Sequence, residues 1–383
     1  MKRTIYLLFA LLLTGLSVWG QAMPPGAAMH MPGSGVPASS NIRSAKYPEV
    51  LPDHRVVFRI KAPDVQKMQV DLGRKYDMVK DRAGYWNLTT DSIGEGFHYY
   101  TLLVDGLAVA DPSSESFYGM GRMASGIEIP FSGGDYYAEK DVPHGGIRIK
   151  RYYSTVTNSW RQLYIYTPPG YDTVTDDKYP VLYLLHGGGE DERGWATQGK
   201  TALIMDNLIA ASKAKPMLVV MPDANLGAGG FGEDGLKAFE SEIRQCIIPF
   251  IDKNYRTRNT SASRALAGLS MGGLNTLYTG IYNTDLFSYL GVLSSGWILP
   301  AQSGIASAQY DYLRQNGPKV NGALKLLWIS EGGKEDIAYK NGHIMLGRLD
   351  ELHIRYSYYE YPGGHTWPVW RNDLYHFAPL LFR

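Results

Sequence analysis

The stretch RALAGLSMGG, Arg264 to Gly273, places a serine between glycines where an apolar run gives way to a helical pattern. Residues Gly268 to Gly272 match G-x-S-x-G, with a predicted strand (RALAGL) before the serine and a predicted helix (MGGLNTLYTGIY) after it. The glycines permit a sharp strand-to-helix turn, because Cβ atoms would collide beside the serine. Such a turn lifts the Ser270 hydroxyl clear of the sheet, to a helix N-terminus that favours developing negative charge. We therefore interpret Ser270 as a nucleophile rather than a small residue in a turn.

Strands and helices alternate around this turn, from Gly146 to the C-terminus. The predicted strands are RQLYIYTP, YPVLYLLHG, PMLVVMPD, RALAGLS, YLGVLSS, LKLLWIS and IRYSYYEYP. Several are continuous apolar runs, as expected of strands covered on both faces. Between them, FESEIRQCIIPFIDKNY has apolar residues at helical spacing, with a kink expected near Pro249. The pattern predicts an α/β domain with a mostly parallel sheet over residues 146–383.

A nucleophilic serine needs a base, which should follow it in the chain. The histidines after Ser270 are His343, His353, His365 and His376. His365 follows the last predicted strand and a Gly-Gly loop, where its ring can reach over the strand ends. The others lie in or beside helical segments, which favours structural or solvent-exposed roles. His365 is the predicted base.

An acid that orients this base should follow the strand before His365. The segment LKLLWISEGGKED supplies Glu331, Glu335 and Asp336 there. Asp336 is the predicted acid, since it lies in the loop within reach of the strand end. Glu335 is the alternative.

Acyl transfer also requires donors for the oxyanion of the tetrahedral intermediate. YLLHGGGE places His186 and three glycines directly after an apolar strand, like the HGGG loops that donate a backbone N–H. We expect the N–H groups of Gly188 and Met271 to be the donors. His186 is expected to hold the loop.

Two further motif matches lack the structural context that their chemistry needs. GWATQGKT, residues 194–201, fits a phosphate-binding loop, but no predicted strand runs into its first glycine. GAGGFG, residues 227–232, fits a dinucleotide motif without the expected turn and acidic strand end, so we predict a glycine-rich loop near the active-site mouth. No H-E-x-x-H or Cys/His cluster occurs. We expect no metal and no cofactor.

The N-terminus has the pattern of a secretory signal peptide. Lys2 and Arg3 precede the apolar run IYLLFALLLTGLSVW, and small residues follow near residue 22. We predict a signal peptide over 1–22, a flexible Pro/Gly/Ala-rich leader over 23–45, and a periplasmic or secreted protein that does not stay in the membrane. The single cysteine, Cys246, allows no intrachain disulfide and lies in an apolar helical pattern that opposes a catalytic role.

The region 46–140 has the rhythm of an all-β module. HRVVFRIKAP, KMQVDLG, GYWNLTT and GFHYYTLLVDG are short strand patterns bounded by Gly, Pro or Asp, which predicts an immunoglobulin-like sandwich. Over the whole chain, 38 basic residues balance 37 acidic ones, for a net charge of +1. That balance does not favour a nucleic-acid partner.

The C-terminal region resembles the family 1 carbohydrate esterases, the feruloyl and acetyl-xylan esterases of the esterase D type. YPVLYLLHGGGEDERGW, IIPFIDKNYRT, RALAGLSMGG, GGKED and GGHTWPVWRNDLYHFAPLLF carry the resemblance. It implies an α/β-hydrolase fold with Ser270, Asp336 and His365 as the triad. The strands before it resemble the early-set (E-set) immunoglobulin-like modules that precede such esterases.

This resemblance implies a secreted serine carboxylesterase that removes feruloyl or acetyl groups from plant cell-wall polysaccharides such as arabinoxylan through an acyl-enzyme. The aromatic side chains expected near the substrate are Trp195, Phe231, Trp297, Tyr339 and Trp367. The sequence does not separate feruloyl from acetyl substrates. An enterochelin-type siderophore esterase and an inactive glycan-binding protein stay open as alternatives, and the oligomeric state is undetermined.

Overall fold

The structure is a computed structural model that describes residues 35–42, 44–174, 176–226, 232–297 and 303–383. The predicted signal peptide, most of the predicted leader, Phe231 and most of the predicted loop 227–232 lie outside these residues. Among the described residues, no helix is long and apolar enough to cross a membrane.

The N-terminal part of the described chain forms two antiparallel sheets. One has the strand order β1-β2-β3-β7-β6 and the other β10-β11-β8-β4-β5, with β9 paired to β8. The strands are β1 (Val36–Pro37), β2 (Glu49–Val50), β3 (Val56–Lys61), β4 (Met68–Asp71), β5 (Lys75–Asp77), β6 (Val79–Lys80), β7 (Tyr85–Thr89), β8 (Gly96–Val104), β9 (Leu107–Val109), β10 (Ser116–Gly119) and β11 (Arg122–Ile129). Strand β1 falls within the range predicted as leader and pairs with β2.

The core of this β module lies between its two sheets. Phe58 of β3 packs edge-on against Tyr100 of β8, with ring centroids 5.2 Å apart, and Val70 and Ile127 are fully buried beside them. Alternate residues of each strand supply this core, which is why the strands have a period of two. The all-β, antiparallel arrangement agrees with the expected sandwich module.

The second part of the chain is built on an eight-stranded sheet in the order β12-β13-β15-β14-β16-β17-β18-β19. The strands are β12 (Gly146–Ser154), β13 (Ser159–Thr167), β14 (Val181–Leu185), β15 (Leu218–Pro222), β16 (Arg264–Leu269), β17 (Tyr289–Leu293), β18 (Leu326–Glu331) and β19 (Ser357–Glu360). Strand β13 pairs antiparallel with β12 and β15, and the pairings from β15 to β19 are parallel.

Helices cover both faces of this sheet. They are α1 (Thr201–Ala210), α2 (Glu233–Glu242), α3 (Ile248–Asn254), α4 (Met271–Tyr282), α5 (Ser303–Ala323), α6 (Tyr339–Glu351) and α7 (Trp367–Phe377), with a π-helical segment, Ile243–Ile247, between α2 and α3. Along β14, Tyr183 joins one hydrophobic core and its neighbour Leu184 joins the other. Burial on both faces explains the continuous apolar run. The structure confirms the predicted α/β-hydrolase fold.

The β module and the α/β domain share a buried interface. Phe97 of β8 lies in the same hydrophobic cluster as Trp195 and Trp367. Arg371 of α7, fully buried, donates two hydrogen bonds to Glu128 of β11, at 2.7 and 3.1 Å. A buried guanidinium needs such a partner because an unpaired charge is costly in a protein interior. The two parts are therefore packed as one body along this interface.

Candidate active site

Ser270 occupies the sharp turn between β16 and α4. Its backbone has φ 51° and ψ −115°, a conformation that non-glycine residues rarely adopt. A Cβ at Gly268 would lie 2.5 Å from the carbonyl carbon of Gly272, and one at Gly272 would lie 2.6 Å from the His186 oxygen. Both positions of the G-x-S-x-G motif thus exclude side chains, and the turn holds Ser270 at the N-terminus of α4.

Two hydrogen bonds anchor the backbone of Ser270. Its N–H donates to Leu293 O at 2.9 Å, and Ser295 Oγ donates to its carbonyl oxygen at 2.7 Å. In the described part of the chain, no hydrogen bond joins Ser270 Oγ to His365, although both residues line one cavity. Catalytic hydrogen bonds are often long without substrate and tighten in the complex.

His365 and Asp336 are joined by a hydrogen bond. The His365 Nδ1 to Asp336 Oδ1 distance is 2.8 Å, and Asp336 also accepts the N–H groups of Ala338 at 2.8 Å and Gly332 at 3.2 Å. Burial raises the pKa of the Asp336 carboxyl, but the hydrogen bonds that it accepts, the one from His365 foremost, together outweigh burial, so the pKa is lowered on balance. An ionised Asp336 holds the ring with Nδ1 protonated, which leaves Nε2 to act as a base.

Glu335, the alternative acid, lies on the surface. Its side chain is exposed, and among the described contacts none is a hydrogen bond between its carboxylate and His365. The structure therefore brings Asp336, and not Glu335, into contact with the imidazole.

The loop after β14 carries Gly188, one of the two expected oxyanion donors, and the other, Met271, begins α4. The buried His186 ring faces Gly187 O through Nδ1, at 2.8 Å, and accepts the Ala224 N–H at Nε2, at 2.9 Å. Asp223 Oδ1 also lies 3.3 Å from Nε2, and although burial lowers the pKa of His186, this carboxylate raises it on balance. These contacts hold the ring in the loop. Gly188 is exposed in the cavity wall, and within the described ranges the N–H groups of Gly188 and Met271 have no acceptor. Both remain available to an oxyanion.

A cavity of about 450 Å³ opens above Ser270 and is walled by both parts of the chain. From the α/β domain it is lined by Gly187, Gly188, Glu190, Leu269, Ser270, His365, Thr366, Trp367 and Trp370. From the β module it is lined by Asp71, Leu72, Gly73, Phe97, His98, Tyr99, Tyr100, Thr101, Met120 and Arg122. The wall is rich in aromatic and aliphatic side chains, as is usual for sites that bind small organic groups.

The aromatic residues expected near the substrate occupy different places. Trp367 lines the cavity, whereas Trp195 is buried beneath it and donates its indole N–H to Leu185 O at 2.9 Å. Trp297 lines a separate cavity between α5 and α6, and the Tyr339 ring packs at a tilt against His343 at the start of α6, with centroids 4.2 Å apart. Trp367 is thus the described member of this set that lines the catalytic cavity.

The cavity wall contributed by the β module was not predicted in the sequence analysis. Tyr99, Met120 and Arg122 come from β8 and from the β10–β11 hairpin, more than 140 residues before Ser270. Their packing against the α/β domain depends on contacts between distant segments, which leave no periodic signal. The tyrosine pair in GFHYYTLLV was the available clue, since one of two adjacent strand residues must face away from the module's own core.

Two further buried carboxyls lie near Asp336. Glu331 ends β18 and Asp373 lies on α7, and both are fully buried. Burial, together with the nearby charges of Asp336 and Asp373, raises the pKa of Glu331 to about 9. Burial also raises the pKa of Asp373 well above its ordinary range. Burial therefore favours the protonated form of both groups, whereas the hydrogen bonds to Asp336 favour the ionised form of that carboxyl.

Glu331→Gln is expected to reduce the loss of stability at high pH. The unfolded chain releases the Glu331 proton above about pH 4.5 and the folded chain only near pH 9. Between these values the folded state binds more protons, so raising the pH disfavours folding by up to about 1.4 kcal/mol per pH unit. Urea unfolding at pH 5.5 and 8.5 should give a smaller difference for Glu331→Gln than for the wild type. Equal differences would contradict this, and the exposed Glu139→Gln serves as the control.

No group of three or more His, Cys, Asp or Glu side chains among the described residues is arranged to hold a metal ion.

Comparison with protein families places this fold and site in a known class. Residues 154–380 match the family described as "Putative esterase", which covers more than half of the chain. The chain therefore belongs to this esterase family of carboxylic ester hydrolases.

Individual relatives show which kinds of esterase the chain is similar to. The chain is 40% identical over 313 residues to an endo-1,4-beta-xylanase/feruloyl esterase of Xylanibacter ruminicola. The alignment covers 79% of this chain and 41% of that protein. The structure of a mutant feruloyl esterase module of Clostridium thermocellum, complexed with sinapinate, is 27% identical to this chain and has a TM-score of 0.54. The match covers 65% of this chain and 91% of that module's chain. This chain thus spans less than half the length of the first relative and nearly all of the second.

The enterobactin esterase of Shigella flexneri shares the fold over a larger part of the chain. Its structure in the presence of enterobactin has a TM-score of 0.63 at 18% identity, and the match covers 85% of this chain and 92% of that one. At this identity the likeness concerns the fold alone.

Proposed function

We propose that this protein is a serine carboxylesterase that releases feruloyl groups from plant cell-wall polysaccharides such as arabinoxylan. The observation that carries the proposal is the convergence on one cavity of Ser270, the His365–Asp336 pair and the free N–H of Gly188. Each group has the chemistry that acyl transfer requires: a nucleophile, an oriented base and an oxyanion donor.

In the acylation step, Ser270 Oγ attacks the ester carbonyl carbon while His365 Nε2 takes the hydroxyl proton. Asp336 stabilises the resulting imidazolium through the 2.8 Å hydrogen bond at Nδ1. The N–H groups of Gly188 and Met271 bind the oxyanion of the tetrahedral intermediate. Its collapse breaks the ester C–O bond, and His365 gives its proton to the departing alkoxide of the sugar.

Water then hydrolyses the acyl-enzyme. His365 Nε2 takes a proton from the water, the hydroxide attacks the same carbonyl carbon, and the proton returns to Ser270 Oγ as the acid leaves. The reaction consumes one water and releases a carboxylic acid and a sugar hydroxyl.

The size and lining of the cavity favour an aromatic acyl group over acetate. About 450 Å³ bounded by Phe97, Leu269, Trp367 and Trp370 gives a planar ring apolar surface to bury, whereas an acetyl group would leave most of it empty. The names of the Xylanibacter and Clostridium relatives support the same class of substrate. Export to the periplasm or the medium, as the N-terminal pattern predicts, would bring the enzyme to its polysaccharide.

The test is a panel of esters assayed with the purified full chain. Methyl ferulate and feruloylated arabinoxylan should both release ferulate, and acetylated xylan should release acetate at least about tenfold more slowly, because acetate cannot use the aromatic wall. Acetate as the main product would move the substrate to acetyl-xylan. Cleavage of a catechol-serine ester alone would favour a siderophore esterase, and binding of arabinoxylan without turnover would favour a glycan-binding protein.

A further inference from the structure

A hairpin of the β module is in direct contact with residues 186–190, the loop after β14 that carries Gly188 and is called the oxyanion loop below. At the tip between β10 and β11, Gly121 N–H donates to Gly189 O at 2.8 Å. Gly189 has φ +77°, and a Cβ there would lie 3.0 Å from Gly121 N and 3.4 Å from the backbone of Met120. The module and the loop that carries Gly188 are therefore in close backbone contact, one residue away from the proposed oxyanion donor.

Tyr99 of β8 makes a second connection to this loop. Its hydroxyl accepts hydrogen bonds from Gln198 Nε2 at 2.5 Å and from the Trp367 indole N–H at 3.0 Å, and it donates to Glu190 Oε1 at 3.0 Å. A phenol hydroxyl has one proton and two lone pairs, so these partners saturate it. This module residue thus joins groups on either side of the catalytic cavity.

Glu190 connects Tyr99 to the oxyanion loop through its second carboxylate oxygen. It is buried, its Oε2 accepts the Gly187 N–H at 3.4 Å, and its own carbonyl oxygen accepts Asn225 Nδ2 at 2.8 Å. A buried carboxyl in this position needs the Tyr99 donor, because an unpaired buried oxygen loses its hydration without replacement. A chain of hydrogen bonds therefore runs from the β module to the residue that precedes Gly188.

We propose that Tyr99 is a positioning residue for the reaction: its hydroxyl holds Glu190, and through it the Gly187–Gly188 backbone, in the arrangement that serves the oxyanion. The inference rests on the proposed esterase function. Its consequence is that the β module is a working part of the active site, needed for turnover and not solely for capture of a polysaccharide.

Tyr99→Phe in the full chain tests this proposal. Oxyanion donors act on the transition state, so displacing one lowers kcat and leaves KM nearly unchanged. Loss of a whole donor costs 10²–10³ in kcat, and we expect about a tenfold decrease for this indirect change. The assay uses 4-nitrophenyl acetate and methyl ferulate side by side. The acetate reports the acyl-transfer machinery even if feruloyl esters prove not to be substrates, which separates this proposal from the identity of the substrate.

The matched control is Tyr152→Phe. Tyr152 is buried, and its hydroxyl donates to the buried carboxylate Glu242 at 2.7 Å, away from the catalytic cavity. The Tyr152→Phe variant also removes one buried tyrosine hydroxyl that donates to a buried glutamate, and its kcat should equal that of the wild type. A similar decrease in both variants would assign the effect to general destabilisation and overturn the proposal.

A double-mutant cycle with Glu190→Ala shows whether Tyr99 acts through Glu190. If it does, each single change lowers kcat and the double variant is no slower than the slower single variant. Multiplicative losses, an unchanged kcat in Tyr99→Phe, or a change confined to KM would each overturn the proposal. Active-site titration corrects every kcat for the folded fraction, so reduced yield of a variant does not affect the comparison.

Discussion

Ser270→Ala is expected to lower kcat for ester hydrolysis by roughly 10⁴- to 10⁶-fold, the range found when a catalytic serine is removed. Alanine lacks the hydroxyl that forms the acyl-enzyme, and water must then attack the ester without covalent catalysis. What remains comes from the Gly188 and Met271 donors and from binding in the cavity. Initial rates with methyl ferulate measure this loss, at enzyme concentrations high enough to detect the activity that remains.

The same substitution should leave the fold intact. Within the described residues the Ser270 hydroxyl makes no hydrogen bond, and its anchors, Leu293 O and Ser295 Oγ, contact the backbone. Alanine therefore leaves no buried group unpaired, and it experiences the same strain at φ 51° as serine. The melting temperature should match that of the wild type, and ferulate should still bind.

Ser261→Ala is the control for this experiment. Ser261 is half-buried like Ser270, and no described residue hydrogen-bonds its hydroxyl. Its kcat should be unchanged. Hydrolysis by Ser270→Ala at more than about a hundredth of the wild-type rate would contradict the nucleophile assignment, because direct attack by water in place of the serine should lower the rate much more than a hundredfold.

The parts of the fold and site that could be predicted are those that local geometry determines. The turn at Ser270 could be predicted because glycine is required where a Cβ would meet backbone at 2.5 Å, and that requirement is visible in five residues. Strand β14 could be predicted because burial on both faces leaves a continuous apolar run. His365 followed from the order in which strands and loops succeed one another.

Other features are set by packing between distant segments. Strand β12 (Gly146–Ser154) was not predicted because it lies at a sheet edge. Its apolar residues Ile147 and Ile149 are exposed, and burial is confined to its end, at Tyr152 and Ser154, so the alternation of a buried face is too short to recognise. The role of Tyr99 depends on partners about 90 and 270 residues away. Aromatic side chains such as Trp195 look alike in a sequence whether they fill a core or line a cavity.

Asp336→Asn is the second change for which we expect a very large effect, a decrease in kcat of about 10⁴-fold at neutral pH. Asp336 is almost completely buried, and Oδ1 accepts the His365 Nδ1–H at 2.8 Å. An asparagine that turns its NH₂ group toward His365 makes Nδ1 the acceptor and moves the ring proton to Nε2. The imidazole can then no longer accept the Ser270 proton.

The loss should follow from the tautomer and not from unfolding. Asparagine has nearly the volume of aspartate. With its NH₂ group in the Oδ1 position, its amide oxygen takes the Oδ2 position and can still accept the Gly332 N–H, whereas the Ala338 N–H loses its acceptor. Thermal unfolding should therefore show a cooperative transition for the variant, and kcat against pH should stay low across the range in which the wild type is active.

Glu335→Gln separates the two carboxylates that the sequence left as alternatives. It removes a charge one residue away from Asp336 on an exposed side chain, so its effect on kcat should be less than about twofold, as for a screened surface charge. If Glu335→Gln were the inactive variant and Asp336→Asn the active one, the acid would have to reach His365 through a rearranged loop. The buried hydrogen bond at 2.8 Å gives Asp336 that position without any movement, which is why we expect the whole loss at Asp336.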